Sequence, residues 1–263
     1  MRLRVALTIA GSDSGGGAGI QADLKTFAAL GVHGTSAVTA VTAQNTLGVS
    51  DYAAMSPALV RAQIDDVVTD LAPTAAKTGM LATADIVEVV AAAVEEHRIA
   101  NLVVDPVMVA KGGGKLLRDD AVDALRSRLL PLAAVVTPNI PEAEVLLGRF
   151  VSSRRERERA ARELVAMGCR AAVVKGGHAR RGADDVVYDG REVTWLMGER
   201  VPTRHTHGGG CAFSAAITAG LAKDLPLAVA LREAKAFIDG AIRCSLDIGQ
   251  GRGPVNPMWR TGG

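Results

Sequence analysis

Short runs of β-branched and apolar residues alternate with longer amphipathic segments along almost the entire chain. The runs predict strands over 3–10, 35–43, 75–78, 102–104, 133–136 and 171–174. The longer segments predict helices over 18–30, 57–71, 83–97, 119–129, 154–167, 211–222 and 226–246, and another starting at 139. This alternation is typical of βαβ units, whose strands form a parallel sheet covered by helices. Asp189-Gly190 lies between runs 186–188 and 192–195, which predicts an antiparallel hairpin as part of the sheet.

The composition fits one α/β domain over residues 1–263. Hydrophobic residues make up 48% of the chain but aromatics only 3%. The core must therefore consist of Ala, Val, Leu and Ile, as in parallel strands covered by Ala-rich helices. A net charge of +2 gives no reason to expect nucleic acid or an anionic membrane as a partner. No apolar run approaches the ~18 residues of a membrane span.

The three cysteines point to a reducing compartment. Cys169, Cys211 and Cys244 are far apart and odd in number, which matches neither a disulfide framework nor a metal-binding pattern. The N-terminal residues read as a first strand rather than a signal peptide. We therefore expect a cytoplasmic protein.

Polar residues lie at or just after the carboxyl ends of six predicted strands. They are Asp13, Gln44, Lys77 with Met80, Asp105, Asn139 and Lys175. Loops are polar in general, but that explains one or two such placements better than six. Because the carboxyl edge of an open α/β sheet forms the ligand crevice, we expect these residues to surround a bound ligand.

Three glycines, Gly208, Gly209 and Gly210, lead into an apolar helix, with Cys211 at the junction. Bare backbone N–H groups and a helix N-terminus together form a cradle for an anion. The same field favours a thiolate at Cys211. An anion cradle beside an ionisable group suits phosphoryl transfer. The alternative is a glycine-rich turn before a buried helix whose cysteine packs as a small hydrophobe.

Several neighbouring motifs do not fit the nucleotide or metal sites they superficially suggest. The loop at 11–19 lacks the last glycine of a dinucleotide fingerprint, and the run at 111–115 lacks the leading glycine and the hydroxyl of a P-loop. An anion-contacting loop or lid at 111–115 remains an open alternative. His205 and His207 have no further ligand nearby for zinc.

The remaining candidates fit a phosphate, a metal and a heterocycle. Asp105 and Glu142 suit a hydrated magnesium ion, although Glu142 fits equally well as the partner of Asn139 in a helix capping box. Lys175, followed by two glycines, suits a phosphate contact. Gln44 offers a donor and an acceptor, which match the edge of an aminopyrimidine.

Eight segments in this order resemble the hydroxymethylpyrimidine and phosphomethylpyrimidine kinases of thiamine biosynthesis, within the ribokinase-like superfamily. They are 8–13 (TIAGSD), 16–26 (GGAGIQADLKT), 41–46 (VTAQNT), 77–80 (KTGM), 104–108 (VDPVM), 137–139 (TPN) with Glu142 and Ala143, 174–178 (VKGGH) and 207–211 (HGGGC). The resemblance covers nearly the whole chain.

The resemblance implies a three-layer α/β/α fold with a mostly parallel central sheet, a homodimer, and ATP and Mg²⁺ as cofactors. The implied reaction phosphorylates 4-amino-5-hydroxymethyl-2-methylpyrimidine and then its monophosphate. Carried over residue by residue, Cys211 accepts the hydroxyl proton beside an anion hole formed by Gly208, Gly209 and Gly210. The pyrimidine-binding residues it implies are Gly11, Asp23, Gln44, Met80 and Val107. The nucleotide and magnesium region it implies comprises Asp105, Asn139, Glu142, Lys175 and Lys235.

The sequence departs from the pattern at three loops. Gly209 stands where the family usually has threonine, which removes a side-chain donor but leaves the backbone N–H groups. Gly112 replaces a usual serine, and Ser14-Gly15 replace a usual Pro-Ser. Two other functions stay open: a pyridoxal or pyridoxine kinase of the same superfamily, and a non-catalytic pyrimidine sensor. A sensor has no need of the proton acceptor that Cys211 provides.

Overall fold

The computed structural model describes residues 3–108, 119–178 and 182–260. The strands in this part of the chain are β1 (Val5–Ala10), β2 (His33–Val38), β3 (Ala40–Gln44), β4 (Val49–Ala54), β5 (Ala75–Thr78), β6 (Leu102–Val104), β7 (Val135–Val136), β8 (Ala172–Val174), β9 (Asp185–Tyr188) and β10 (Val193–Leu196). Eight of them form one sheet in the order β10-β9-β8-β7-β6-β5-β1-β2. All neighbours from β2 to β8 are parallel, and β9 is antiparallel to both β8 and β10. The predicted hairpin is confirmed.

Helices cover both faces of this sheet. They are α1 (Gly19–Ala29), α2 (Pro57–Leu71), α3 (Ala84–Glu96), α4 (Asp119–Ala124), α5 (Ile140–Leu147), α6 (Arg154–Ala166), α7 (Gly209–Ala222) and α8 (Leu227–Arg243). A π-helical turn, Leu125–Leu129, continues α4. One apolar cluster joins the sheet to α2, α3, α5 and α6, and a second joins the opposite face to α1, α7 and α8. The three predicted layers are therefore present. None of the described helices is long and apolar enough to cross a membrane.

Side-chain caps set several helix starts where the sequence predicts them. Ser56 and Thr83 each accept a hydrogen bond from the backbone N–H three residues later. Ser153 caps α6 and forms a reciprocal capping box with Glu156. These bonds satisfy N–H groups that a helix cannot satisfy internally, so the local sequence fixes where these helices begin.

The single strand predicted over 35–43 is wrong, because the chain leaves the main sheet at Thr39. Thr39 is fully buried; its N–H donates to Ala10 O and its hydroxyl to Met80 O. These bonds divert the chain, so β3 pairs with β4 in a separate two-stranded antiparallel sheet. The sequence gives no signal for β4, since its residues are mostly exposed and include Ser50 and Asp51. Gln44 consequently ends a strand of the small sheet.

The register of the main sheet determines which polar residues meet. Thr8 of β1 is paired with Lys77 of β5, and both side chains lie on the face covered by α1 and α7. Asp105 follows β6, Lys175 follows β8, and residue 139 forms a parallel bridge with residue 175. The predicted residues of the main sheet therefore lie along one edge, apart from Lys77, which is inside β5. The loop at 111–115 lies outside the described residues.

Candidate active site

The turn before α7 brings the chain against the loop at 11–19. Gly208 has a φ of +73°, in the left-handed region that favours glycine. A Cβ at this position would also overlap the carbonyl oxygen of Gly17. Only glycine permits both the backbone conformation and the close approach, so Gly208 fixes the start of α7 against the first loop.

The first turn of α7 directs backbone N–H groups toward the sheet edge. The Gly209 N–H is used internally, since it donates to Thr206 O at 3.2 Å. The N–H groups of Gly210 and Cys211 have no acceptor among the residues that the structure describes. Free N–H groups at a helix N-terminus attract anions. The Gly208 N–H likewise has no backbone acceptor among the described residues, so of the predicted Gly208 to Gly210 set only the Gly209 N–H is already bonded, and the Cys211 N–H is a further free donor.

Cys211 is the third residue of α7, and its sulfur accepts a hydrogen bond from the Gly19 N–H. Burial raises the pKa of this thiol to about 11; Lys77 acts in the opposite direction, and the carboxylates of Asp23 and Asp105 add to the rise. The prediction that the helix field favours a thiolate is therefore wrong for the protein by itself. Desolvation of the charged sulfur outweighs the favourable field.

A buried ion pair lies among the charges that act on Cys211. Lys77 Nζ lies 2.8 Å from Asp23 Oδ1, and Thr8 donates to Asp23 Oδ2 at 2.7 Å. Both charged side chains are 0% exposed. Because both oxygens of Asp23 are bound by protein groups, its carboxylate holds Lys77 and Thr8 in place and is not available to a ligand in a pocket.

A second cluster connects three strands with the cradle. Lys175 Nζ lies 2.9 Å from Asp105 Oδ1, which also accepts from Thr137 at 3.2 Å. Asp105 Oδ2 accepts from Ser214 of α7 at 3.2 Å. Burial alone would raise the pKa of Asp105, but Lys175 and then Lys77 lower it below its usual value, so this carboxyl is ionised. A Cβ on Gly210 would lie 3.3 Å from Lys175 Nζ, which places the ammonium beside the first turn of α7.

Asn139 and Glu142 form the predicted capping box of α5. Glu142 Oε2 accepts from the Asn139 N–H at 2.8 Å, and Asn139 Oδ1 accepts from the Glu142 N–H at 2.9 Å. The same oxygen of Glu142 lies 4.0 Å from Lys175 Nζ. Burial raises the pKa of Glu142 to about 7, with Lys175 opposing and Asp105 adding to the rise. Glu142 is thus both a cap and a member of the charged cluster.

The loop at 11–19 is organised around Asp13, whose side chain is buried. Its two oxygens accept from the N–H groups of three loop residues, 15, 17 and 18. His207 Nε2 lies 2.8 Å from Asp13 Oδ2 and 3.4 Å from Gln44 Nε2. Since His207 directly precedes Gly208, these contacts bring Gln44 to the same loop that supports the cradle.

Gly11 and Met80 lie together just after the ends of the neighbouring strands β1 and β5. The Gly11 N–H donates to Met80 O at 3.2 Å, and a Cβ on Gly11 would lie 3.1 Å from the Met80 sulfur. A cavity of about 380 Å³ opens beside Gln44 and His207, between residues 45–49 and the arginines at 204 and 252. The small sheet and the C-terminal segment therefore enclose space next to the Gln44 amide.

A model of the phosphomethylpyrimidine kinase family matches residues 13–256. The chain belongs to the phosphomethylpyrimidine kinase family. Two curated relatives, both called hydroxymethylpyrimidine/phosphomethylpyrimidine kinase, come from Bacillus subtilis and Haemophilus influenzae. The first is 48% identical over 97% of this chain and 95% of the relative, and the second 51% identical over 95% of each.

A solved structure, the ADP complex of Bacillus subtilis pyridoxal kinase, has the same fold. It superposes with a TM-score of 0.93 at 40% identity, covering 99% of both chains. The predicted ribokinase-like architecture of this phosphomethylpyrimidine kinase family member is confirmed. The curated relatives and this structure differ in the substrate that their names give, which makes substrate choice the main functional question.

The structure brings most of the predicted site residues of this family member together. Cys211, Gly210, Lys175, Asp105 and Glu142 form one continuous group, and Gln44 is joined to it through His207. Val107 adjoins this group through its backbone, whereas Lys235 lies on a different element. Val107 follows Asp105, to whose carbonyl its N–H donates. Lys235 lies on α8, where its Nζ is 3.1 Å from Asp185, 3.3 Å from Asp239 and 3.0 Å from Ala183 O.

Lys235 reaches the site indirectly. Asp185 Oδ1 accepts from the Gly176 N–H at 2.7 Å, so the pair formed by Lys235 and Asp185 holds the turn that follows Lys175. A supporting role for Lys235 fits these contacts better than a direct one. Its predicted position near the nucleotide stays a prediction.

Sequence reasoning missed several residues that complete the site. Thr8, Thr137 and Ser214 each donate to a buried carboxylate. Ser214 follows Cys211 by three residues, a spacing that places both on one helix face and could have revealed it. The sequence around His207 suggests a metal ligand and gives no sign of its contact with Asp13, because Asp13 is 194 residues away.

Alanine at positions 208 and 209 is expected to have opposite effects. Gly208→Ala forces a Cβ into the left-handed region and into the Gly17 carbonyl, which should destabilise the fold by about 1–3 kcal/mol. In Gly209→Ala the added Cβ lies in the first turn of a helix and contacts only Val255, at 3.7 Å. This substitution should therefore stabilise the folded protein by about 0.4–1 kcal/mol. Urea unfolding measures both, and equal effects would contradict the structure.

Proposed function

We propose that this chain transfers the γ-phosphate of ATP to the hydroxymethyl group of 4-amino-5-hydroxymethyl-2-methylpyrimidine. A second transfer, to the monophosphate, gives the diphosphate used in thiamine biosynthesis. The observation that carries the proposal is the position of Gln44, an amide suited to an aminopyrimidine edge, beside the loop whose Gly19 contacts Cys211. Membership of the family and the names of the curated relatives support it.

The proposed reaction follows from the charges of the site. The substrate oxygen attacks the γ-phosphorus, the bond from that phosphorus to the ADP oxygen breaks, and the hydroxyl proton passes to the sulfur of Cys211. The N–H groups of Gly210 and Cys211 and the Lys175 ammonium stabilise the negative charge on the transferred group. Cys211 must be a thiolate to accept the proton. With a pKa of about 11, only a small fraction is ionised at neutral pH.

Asp105 and Glu142 fit a magnesium ion held mainly by water and nucleotide phosphates. In residues 3–108, 119–178 and 182–260 no group of three His, Cys, Asp or Glu side chains could hold a metal directly. Asp105 accepts three hydrogen bonds and Glu142 accepts at Oε2. Magnesium retains several waters and needs only one or two carboxylates. The ion would neutralise charge on the β- and γ-phosphates.

Purified protein supplied with ATP, magnesium and the pyrimidine alcohol should form the monophosphate and then the diphosphate. The products are separated by ion-exchange chromatography and identified by mass and by ³¹P resonances. Gln44→Ala is the matched variant, which should weaken pyrimidine use while keeping the cradle. Absence of any phosphorylated pyrimidine with the folded wild-type chain would refute the proposal.

Pyridoxal is the second candidate substrate, favoured by the similarity to the pyridoxal kinase structure. It also carries a hydroxymethyl group on a nitrogen heteroaromatic ring. The pyrimidine has the stronger support because Gln44 presents both a donor and an acceptor. Measuring kcat/KM for both substrates on one preparation decides between them, and a clear preference for pyridoxal would overturn the choice of pyrimidine.

We also propose that the chain acts as a homodimer. Three large apolar side chains are exposed in and next to the small sheet: Val41 and Tyr52, at 50% and 39%, on its opposite faces, and Leu47, at 64%, in the turn between β3 and β4. A second copy that packs on one of these surfaces would remove apolar area from water. Light scattering coupled to size exclusion measures the mass, and a monomer at micromolar concentration would contradict this assignment.

A further inference from the structure

His207 and Asp13 fix the orientation of the Gln44 amide, and this inference rests on the function proposed above. The starting observation is the set of hydrogen bonds to Asp13. Its Oδ2 accepts from the N–H groups of Gly17 at 3.1 Å and Ala18 at 2.8 Å. A proton on that oxygen would face these donors, so Asp13 is a carboxylate. Since a carboxylate only accepts, His207 Nε2, at 2.8 Å, must carry the hydrogen.

This hydrogen determines which atom of Gln44 lies near His207. One end of the Gln44 amide lies 3.4 Å from His207 Nε2. If the amide nitrogen were at this end, two donors would face each other. An amide oxygen and nitrogen have nearly the same shape, and the surrounding hydrogen bonds decide their positions. Turning the amide by 180° places the oxygen toward His207, where it shares the Nε2 hydrogen with Asp13.

Thr42 requires the same orientation on independent grounds. Its hydroxyl donates to Ser12 O at 2.9 Å and lies 3.3 Å from the atom placed as Gln44 Oε1. A hydroxyl has one hydrogen, so it cannot also donate to Gln44, but it retains lone pairs that accept. The turned amide presents its NH₂ group to these lone pairs. Both neighbours of Gln44 are therefore satisfied by one orientation and by no other.

The surrounding chain holds His207 firmly in place. The His207 N–H donates to Gly253 O, and His207 O accepts from Val255 N, so the C-terminal segment binds its backbone on both sides. A Cβ on Gly17 would overlap the imidazole ring. The ring is thus confined between the first loop and residues 253–255.

We propose that His207, positioned by Asp13, is a specificity-determining residue: it fixes the order of acceptor and donor that Gln44 presents to the substrate. An aminopyrimidine offers an amino N–H next to a ring nitrogen, and it pairs with an amide in only one order. With the order fixed, the ring lies one way round, which directs its hydroxymethyl group in one direction. Without His207 only the contact with Thr42 holds the amide in this order, so the selection is weakened by about the value of one hydrogen bond.

The test compares the pyrimidine alcohol with the analogue that lacks only the 4-amino group. The measured quantity is the ratio of kcat/KM for the two compounds. His207→Phe removes the donor and should lower this ratio about tenfold, the effect of losing one well-placed hydrogen bond. His207→Gln keeps an NH₂ donor that the carboxylate of Asp13 orients, and should retain most of the ratio. A general structural role would slow both compounds equally and leave the ratio unchanged.

A double-mutant cycle separates orientation of Gln44 from other effects. In a Gln44→Ala background, His207→Phe should change the ratio no further, because there is no amide left to orient. An equal effect of His207→Phe with and without Gln44 would overturn the inference. Thermal unfolding confirms that each variant is folded at the assay temperature.

A measurement without turnover keeps this inference distinct from the proposed function. Long-range ¹H–¹⁵N spectra of histidine-labelled protein should show His207 protonated at Nε2, and Asp13→Asn should alter that signal. An unprotonated Nε2 in the wild type would overturn the inference whatever the enzyme assay gives. If Nε2 is protonated but neither compound is phosphorylated, the proposed function fails while the inference stands. The same comparison of variants is then made with the ratio of the calorimetric affinities for the two compounds.

Discussion

Replacing Cys211 with alanine is expected to lower kcat about 10²–10⁴-fold, the usual cost of removing a general base. The pyrimidine KM should change only a few-fold, because the positions of the predicted pyrimidine-binding residues Gln44, Gly11 and Met80 do not depend on the sulfur. The matched control is Cys244→Ala, which removes an exposed thiol after the end of α8. Steady-state kinetics of both variants with the pyrimidine alcohol make the comparison. A Cys211→Ala enzyme with wild-type kcat would exclude the sulfur as proton acceptor.

The pH dependence of the wild type provides a second test of the same assignment. A base acts in its deprotonated form, so the active fraction rises with pH until the pH passes the pKa of the group. Since burial raises the pKa of Cys211 to about 11, kcat/KM should still be rising between pH 8 and pH 10. In Cys211→Ala this alkaline rise should disappear. A plateau reached below pH 8 would mean that another group limits the reaction.

The layers and most strands of this fold are predictable because their signals are local. The strand Ala75–Thr78, the hairpin at Asp189-Gly190 and the caps at Ser56 and Thr83 each follow from residues within a short window. The break at Thr39 is different. It depends on hydrogen bonds to Ala10 and Met80, which are distant in sequence. A run of Val and Thr looks the same whether it continues in one sheet or crosses to another.

In the site, too, the identity of the functional residues is predictable from the sequence, whereas their environment is not. Cys211 and Lys175 are recognisable from the glycines around them. The pKa of Cys211 is not, because it depends on burial and on Asp23, Asp105 and Lys77, which arrive from three other elements. Likewise, the resemblance implies that Asp23 binds the pyrimidine, but both of its oxygens are bound by Lys77 and Thr8, which gives it a structural role. Sequence motifs identify the groups, whereas desolvation and long-range partners decide their charge and access.

Breaking the buried pair of Lys77 and Asp23 is expected to destabilise the fold strongly. Asp23→Leu leaves the Lys77 ammonium, which is 0% exposed, without its partner at 2.8 Å. Removing one member of such a pair typically costs about 3–5 kcal/mol, because an uncompensated charge remains buried. We expect the urea midpoint to fall accordingly. As a control, Arg128→Ala breaks an ion pair with Glu88 whose two side chains are 42% and 49% exposed, and it should leave the midpoint nearly unchanged.

The double variant Asp23→Leu with Lys77→Met distinguishes a charge effect from a packing effect. Replacing both members of a buried pair by apolar residues is often neutral or stabilising, since no buried charge is left. The double variant should therefore recover most of the stability that Asp23→Leu loses. If it is as unstable as the single variant, then shape at position 23, not the orphaned ammonium, causes the loss. If Asp23→Leu itself unfolds at the wild-type midpoint, Lys77 must find another partner or lose its proton, and the pair would have no part in holding α1 against β5.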